Sequence, residues 1–343
     1  MKKRKRLYIL SGLVMFLCMG TIYSWSVFRG PLIKELELIS GEHIGATLAQ
    51  MPYTLFLLMY SFTMPFSGKL IKKIDPRILC ISGSLLVALG WILAGSSTSI
   101  YQIMWTYGVL GGLGVGIVYG VPIAIVTEWF PHRKGLAVGI TLMGFGISPL
   151  ISAPIANALI NKSGVFQAFK DMGFAFALVL GLLSLLFQFP KEKIELHKIS
   201  KNEVEFTTKE MLKTKSFYAL WACFVIGTFV GLTMVGIASI YAQETVGLKR
   251  ETATILLSVF AIFNGIGRPI FGSLVDKIGT KKTIYLSYTL IAISSLLQII
   301  KSENTVIFIV SFILFFLNLG GWLSIVPAAN INLFGREYST QNY

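Results

Sequence analysis

Apolar residues gather along this chain in ten windows of about 20 residues, beginning near Leu7, Ala46, Ile78, Ile100, Gly135, Phe166, Ser216, Thr252, Thr283 and Thr305. At 1.5 Å per helical residue, each window is long enough to cross roughly 30 Å of hydrocarbon. The pattern predicts ten membrane-spanning helices, numbered first to tenth in chain order. Basic residues precede the first window, as in a secretory leader. That window runs on to about Phe28 with no small-residue cleavage site, and nine more follow, so a retained first helix is expected.

Composition places the chain in the same class. With 54% hydrophobic and 13% charged residues over 343 positions, it is not a soluble core with a polar shell. It reads as an all-α polytopic membrane protein. The net charge of +14 would suit a nucleic-acid binder, but its placement argues otherwise. Assigning alternate loops to one side collects 22 of the 30 basic residues there, among them Lys2 to Arg6, Lys69 to Arg77 and the seven lysines from Lys191 to Lys215. The opposite loops hold Arg29, Lys34, Lys162, Lys170, Lys249, Arg250 and Lys301. The charge is a topology signal that puts the N-terminus in the cytoplasm, with anionic lipid headgroups and not nucleic acid as its contact. The thirtieth is Arg268.

Arg268 lies inside the otherwise apolar stretch from Thr252 to Val275, which Asp276 and a basic turn close. An arginine at that depth costs about 2.5 to 3.5 kcal/mol, so it should face a protein interior or a cavity. The alternatives are that it snorkels toward the inner surface or pairs with Asp276, since eight helical residues cover only about 12 Å. Shifting the chain by 204 positions lays Pro65 to Asp75 over Pro269 to Gly279, with five of eleven residues identical. Such a repeat indicates two homologous halves. The first copy carries Met64 where the second carries Arg268, so the arginine is not part of the shared scaffold.

Other residues stand out along the chain. Tyr23 and Trp25 in the first helix read either as interfacial aromatics or as cavity wall, Tyr23 favouring the cavity. In the fourth helix Gly108, Gly112, Gly116 and Gly120 recur every four residues, so one face is nearly bare backbone and lets another helix approach, as fixed packing or as a sliding contact. The fifth carries Gly139, Gly144, Gly146, Pro149 and Pro154, which permit bending. Trp322, beside Gly320 and Gly321 in the tenth, reads as a cavity residue. Cys18, Cys80 and Cys223 lack paired spacing, and His43, His132 and His197 fall in loops, so no metal site, cofactor or nucleophile is expected. No Ser/His, paired-carboxylate or metal constellation lies in the spans, and an enzyme is not expected. The domain division expected is a six-helix half over 1–190, a mixed-charge cytoplasmic linker over 191–215 and a second half over 216–343 with four helices.

The glycine-rich fourth helix, the Trp129-Phe-Pro-His-Arg-Lys-Gly135 turn and the Ser148-Pro149 fifth helix together resemble the major facilitator superfamily, and within it the oxalate/formate antiporter family. Gly272-x-x-x-Asp276-Lys-x-Gly-x-Lys-Lys282 matches the superfamily's loop motif; its first-half copy departs, with Lys72 where aspartate is usual and Asp75 where glycine is usual. The resemblance implies a fold of two six-helix halves, with a substrate cavity between them that opens alternately to either side. It also implies an arginine on the eighth helix and a lysine on the eleventh as carboxylate ligands, with aromatics around them. Arg268 matches the first, and Tyr23, Trp25 and Trp322 would shape the pocket. Ten windows stand where twelve helices are implied, so the chain is expected to be a fragment or a truncated product. The function expected is exchange of small organic anions by a monomer in the cell membrane. All sixteen acidic residues fall in loops or at helix ends, which favours exchange over proton coupling. The alternatives are a proton-coupled monocarboxylate transporter or efflux pump of the same fold, and a non-transporting sensor or remnant.

Overall fold

A computed structural model describes residues 2–71, 73–190, 205–335 and 338–343. Lys72, Arg336 and most of the expected linker, 191–204, lie outside the described residues. Every described regular element is helical, as the apolar windows require: in hydrocarbon, a helix is the segment that satisfies its own backbone hydrogen bonds.

The first helix departs from expectation in length. It runs Lys2–Met19, tightens into a 3-10 turn over Gly20–Ser24 and continues as Trp25–Ser40, well past Phe28. Phe28, Leu32 and Leu36 recur every fourth residue and are buried, so the continuation is an amphipathic helix packed on its neighbours. Gly41, at φ 71°, ends it in the left-handed conformation that favours glycine. Arg29, Lys34, Glu35 and Glu37 therefore lie on a helix and not in a loop. The sixth helix, Val165–Ser184, ends before Phe189. Nine helices among the described residues are long and apolar enough to cross a membrane. The second, Ala46–Leu70, is not one of them: 25 residues long, it is diluted by Gln50, Tyr53, Thr54, Tyr60, Ser61 and Thr63. A helix stands at each of the ten expected windows, and this second one is the least apolar of them by that measure.

The chain divides into two compact units, Met1–Trp129 with Ile151–Lys201, and Phe130–Leu150 with Asn202–Tyr343. The first unit is centred on stacked rings. Trp25 lies 4.9 Å from Tyr107 with the rings nearly parallel, and Trp91 meets Tyr107 edge-on at 5.2 Å. Tyr107 sits in a wide π-helical turn, Met104–Gly111, at the head of the fourth helix. Below it the glycine ladder rests on the second helix. A Cβ at Gly108, Gly112 or Gly116 would stand 2.9, 2.6 or 2.7 Å from the carbonyl oxygens of Pro52, Phe56 and Tyr60. A Cβ at Gly114 would come as close to the third helix, Pro76–Ala94, 2.6 Å from the Val87 nitrogen. Gly120 is buried on the same helix.

The second unit holds the seventh to tenth helices, Lys215–Glu244, Arg250–Ile278, Thr280–Ile300 and Thr305–Phe334. The eighth and tenth pack backbone to backbone: a Cβ at Gly267 would overlap the Leu317 carbonyl, and one at Gly320 the Asn264 carbonyl. Arg268 lies on an adjoining face of the eighth helix, one turn after Asn264.

Candidate functional site

The fifth helix, Lys134–Ser163, supplies the surface that Arg268 meets. A Cβ at Gly139 would stand 2.5 Å from the Arg268 carbonyl oxygen and 2.7 Å from Pro269 Cα, and one at Gly135 would overlap the Gly272 carbonyl. A Cβ at Gly146 would stand 2.9 Å from Gly265 Cα. Numbers rising on one helix meet numbers falling on the other, so the two run antiparallel with almost no side chain between them. Glycine spacing on both helices makes this approach possible, and the approach brings a backbone carbonyl within reach of the arginine.

Arg268 is 1% exposed. Its Nη1 donates to the Leu142 carbonyl oxygen at 2.6 Å. The Phe145 ring centroid lies 5.9 Å from Cζ, within cation–π range. A Cβ at Gly146 would be 3.0 Å from Nε and 3.3 Å from Cζ. Such similar distances put that point over the flat face of the guanidinium and not off its edge. Nε and Nη2 have no protein hydrogen-bond partner. These two groups share one edge of the guanidinium, and their parallel N–H bonds match the two oxygens of a carboxylate.

Asp276 does not neutralise this charge. Its Oδ1 accepts from the Gly135 amide at 2.9 Å and its Oδ2 from the Leu136 amide at 2.8 Å. These amides are free donors at the start of the fifth helix, so Asp276 caps a helix far away in sequence. Of the alternatives raised by the sequence, pairing with Asp276 and snorkelling to the surface are both replaced by burial against the fifth helix. Gly272 sits one turn above Asp276, and both meet Gly135, so the Gly-x-x-x-Asp motif and the Trp-Phe-Pro turn converge. Beside them lies a cleft of about 330 Å³ lined by His132, Arg133, Leu136, Ser273, Asp276 and Lys277.

The remaining expected residues have other surroundings. Tyr23, 38% exposed, lies in the 3-10 turn of the first unit. Its neighbour Ser24 places a hydroxyl 2.8 Å from that of Ser152. Trp25 is buried in the ring stack on Tyr107, not at an interface. Trp322 is fully buried, pressed on Gly227 and 5.4 Å from the Tyr288 ring. It thus packs toward the seventh and ninth helices, whereas Arg268 faces the fifth. Pro149 lies within the fifth helix, one turn beyond Phe145. The sequence did not single out Leu142, Phe145 or Gly146 as neighbours of Arg268; only the glycines around Phe145 hinted at a close approach.

Residues 7–341 match the family model described as Major Facilitator Superfamily. The "Oxalate:formate antiporter" of Oxalobacter formigenes is 31% identical, over 98% of this chain and 78% of that protein. "Monocarboxylate transporter 12" of Homo sapiens is 28% identical over 65% of this chain and 49% of that protein. Among solved structures, the Major Facilitator Superfamily transporter FucP, in the outward conformation, matches with a TM-score of 0.69 at 15% identity, covering 98% of this chain and 88% of that one.

Proposed function

From the premise that the chain belongs to the Major Facilitator Superfamily, and so is a membrane transporter, we propose that its cargo is a small carboxylate moved by anion exchange. The observation that carries the reading is Arg268, a buried guanidinium with two adjacent N–H groups unpaired and no carboxylate bonded to it among the described residues. A charge held in this way is costly until an anion arrives. A carboxylate on the Nε and Nη2 edge supplies both missing acceptors and cancels the charge. Passage of the empty, unneutralised carrier between its two open states is then unfavourable compared with passage of the loaded one, which is the energetic condition for exchange. The 31% identity to an oxalate:formate antiporter supports the same cargo class. In this reading residues 1–190 and 216–343 are the two halves, joined by a linker over 191–215. The chain works as a monomer in the cell membrane with its N-terminus in the cytoplasm.

The test is uptake of radiolabelled oxalate into vesicles that carry the purified chain and are loaded with oxalate or formate. Arg268→Gln abolishes binding and uptake; Arg268→Lys keeps the charge but loses the planar fork, so affinity falls while some binding survives. Exchange by the glutamine variant at the parent's rate overturns the reading. A second reading, proton-coupled monocarboxylate uptake, is favoured by the likeness to a monocarboxylate transporter. It requires that an acid-outside pH gradient drive uptake into vesicles with no internal anion, where exchange gives none.

A further inference from the structure

The carboxylate reading says that Arg268 binds an anion but not which part of it does so, nor what holds it in place. An arginine offers two edges with paired N–H groups, Nε with Nη2 and Nη1 with Nη2, and a flexible side chain presents them in turn. Here the fifth helix removes that freedom. The Leu142 carbonyl engages Nη1 at 2.6 Å, so the end-on edge has one of its two nitrogens already bonded. The Gly146 backbone lies over the face near Nε and Cζ, and the Phe145 ring stands 5.9 Å from Cζ. What remains is the Nε and Nη2 edge, and those are the two nitrogens without a protein partner.

The Leu142 carbonyl, a backbone group, is present whatever the side chain. What varies with sequence is whether the guanidinium can lie close enough to use it. Glycine at 146 lets the guanidinium lie flat against the helix, since a Cβ there would stand 3.0 Å from Nε. Phe145 adds a quadrupole whose negative face attracts the cation without offering a hydrogen-bond acceptor. A polar side chain in its place would compete with the anion for Nε or Nη2; an aromatic ring cannot.

We propose that Phe145 and Gly146 are positioning residues that fix Arg268 in one orientation, so that a single carboxylate of the cargo is read side-on by Nε and Nη2. This rests on the carboxylate reading above and adds to it a specificity element on the fifth helix. One carboxylate suffices for the contact, so oxalate and formate should depend on Phe145 and Gly146 to the same degree.

The experiment measures KM and maximal rate for oxalate and for formate in loaded vesicles, and equilibrium binding of oxalate to the same purified protein, for the parent, Phe145→Leu, Phe145→Tyr, Gly146→Ala and Arg268→Gln. Phe145→Leu is expected to raise KM about tenfold for both anions, with the maximal rate retained, and Phe145→Tyr is expected to restore the parent's KM. Gly146→Ala should raise KM further. Because its Cβ also approaches Gly265, its accumulation and melting temperature are recorded, and the judgement rests on the Phe145 pair if it fails to fold. Unchanged KM in Phe145→Leu, or an effect on one anion only, while Arg268→Gln abolishes binding, overturns the positioning role and leaves the anchor standing. Intact binding in Arg268→Gln overturns the anchor itself.

Discussion

Met64 and Arg268 occupy the same place in the two copies of the repeat, four residues before Gly68 and Gly272. Both are buried, at 7% and 1% exposure, and both lie where a glycine helix presses on a proline-containing helix. In the first copy a Cβ at Gly116 would stand 3.4 Å from the Met64 nitrogen, and the contact closes on apolar and backbone atoms. In the second, Gly139 and Gly146 approach Arg268, and the contact encloses a guanidinium with two N–H groups unpaired. The backbone device is common to both copies and the chemistry is not. A stripe of glycines in a membrane helix therefore reports close packing; the residue it packs around decides whether the place has a function.

Exchanging the two residues should have the largest effect. Arg268→Met should abolish carboxylate binding yet leave the fold as stable as before or more stable, by about 1 to 4 kcal/mol, because an incompletely paired buried charge is replaced by an apolar side chain. Met64→Arg should cost about 2.5 to 3.5 kcal/mol with no gain of binding, since a charge is placed in an apolar contact. Thermal melting of the detergent-solubilised variants beside oxalate binding checks both, and a marked loss of stability in Arg268→Met would make the arginine a structural element.

The acidic residues of the two copies differ in reach. Asp75 caps its own helix, accepting from the Arg77 amide at 2.8 Å, whereas Asp276 accepts from two amides 140 and 141 residues away. Asp276→Ala should cost about 1 to 2 kcal/mol and speed amide exchange at Gly135 and Leu136. Asp75→Ala should act on the start of the third helix alone. Hydrogen exchange resolved to these peptides separates the two, and protection of Gly135 and Leu136 that survives Asp276→Ala contradicts the long-range cap.

Smallest is the contrast between packed and open glycines. Gly112→Ala would place a Cβ 2.6 Å from the Phe56 carbonyl and should cost about 1 to 3 kcal/mol by overpacking. Gly236 has nothing within 4 Å of the same point, so Gly236→Ala should gain up to about 1 kcal/mol from helix propensity. Equal melting temperatures for the two variants would show that the fourth-helix contact yields without cost.

Features that depend on local physics were legible in the order of residues. Hydrocarbon admits only segments that bond their own backbone, so apolar length alone predicted helices, and their number and order followed. The anomaly of Arg268 was equally legible, because a charge is expensive wherever it lies in an apolar window, and the offset repeat showed that only one half carries it. Tertiary structure alone decided the rest. The acceptor for Arg268 is a carbonyl, which every residue possesses, so no residue type marks Leu142 in advance. The first helix runs to Ser40 because Phe28, Leu32 and Leu36 find neighbours to pack on, and the chain cannot state who those neighbours are. Trp25 and Trp322 have both an apolar body and a polar N–H, equally suited to a membrane interface, a cavity or a core, and only the tertiary structure set one on Tyr107 and the other on Gly227 and Tyr288. Asp276 was visible as a motif residue, but the amides it caps belong to a helix start remote in sequence, and that pairing exists only once two glycine-lined helices have come within backbone contact.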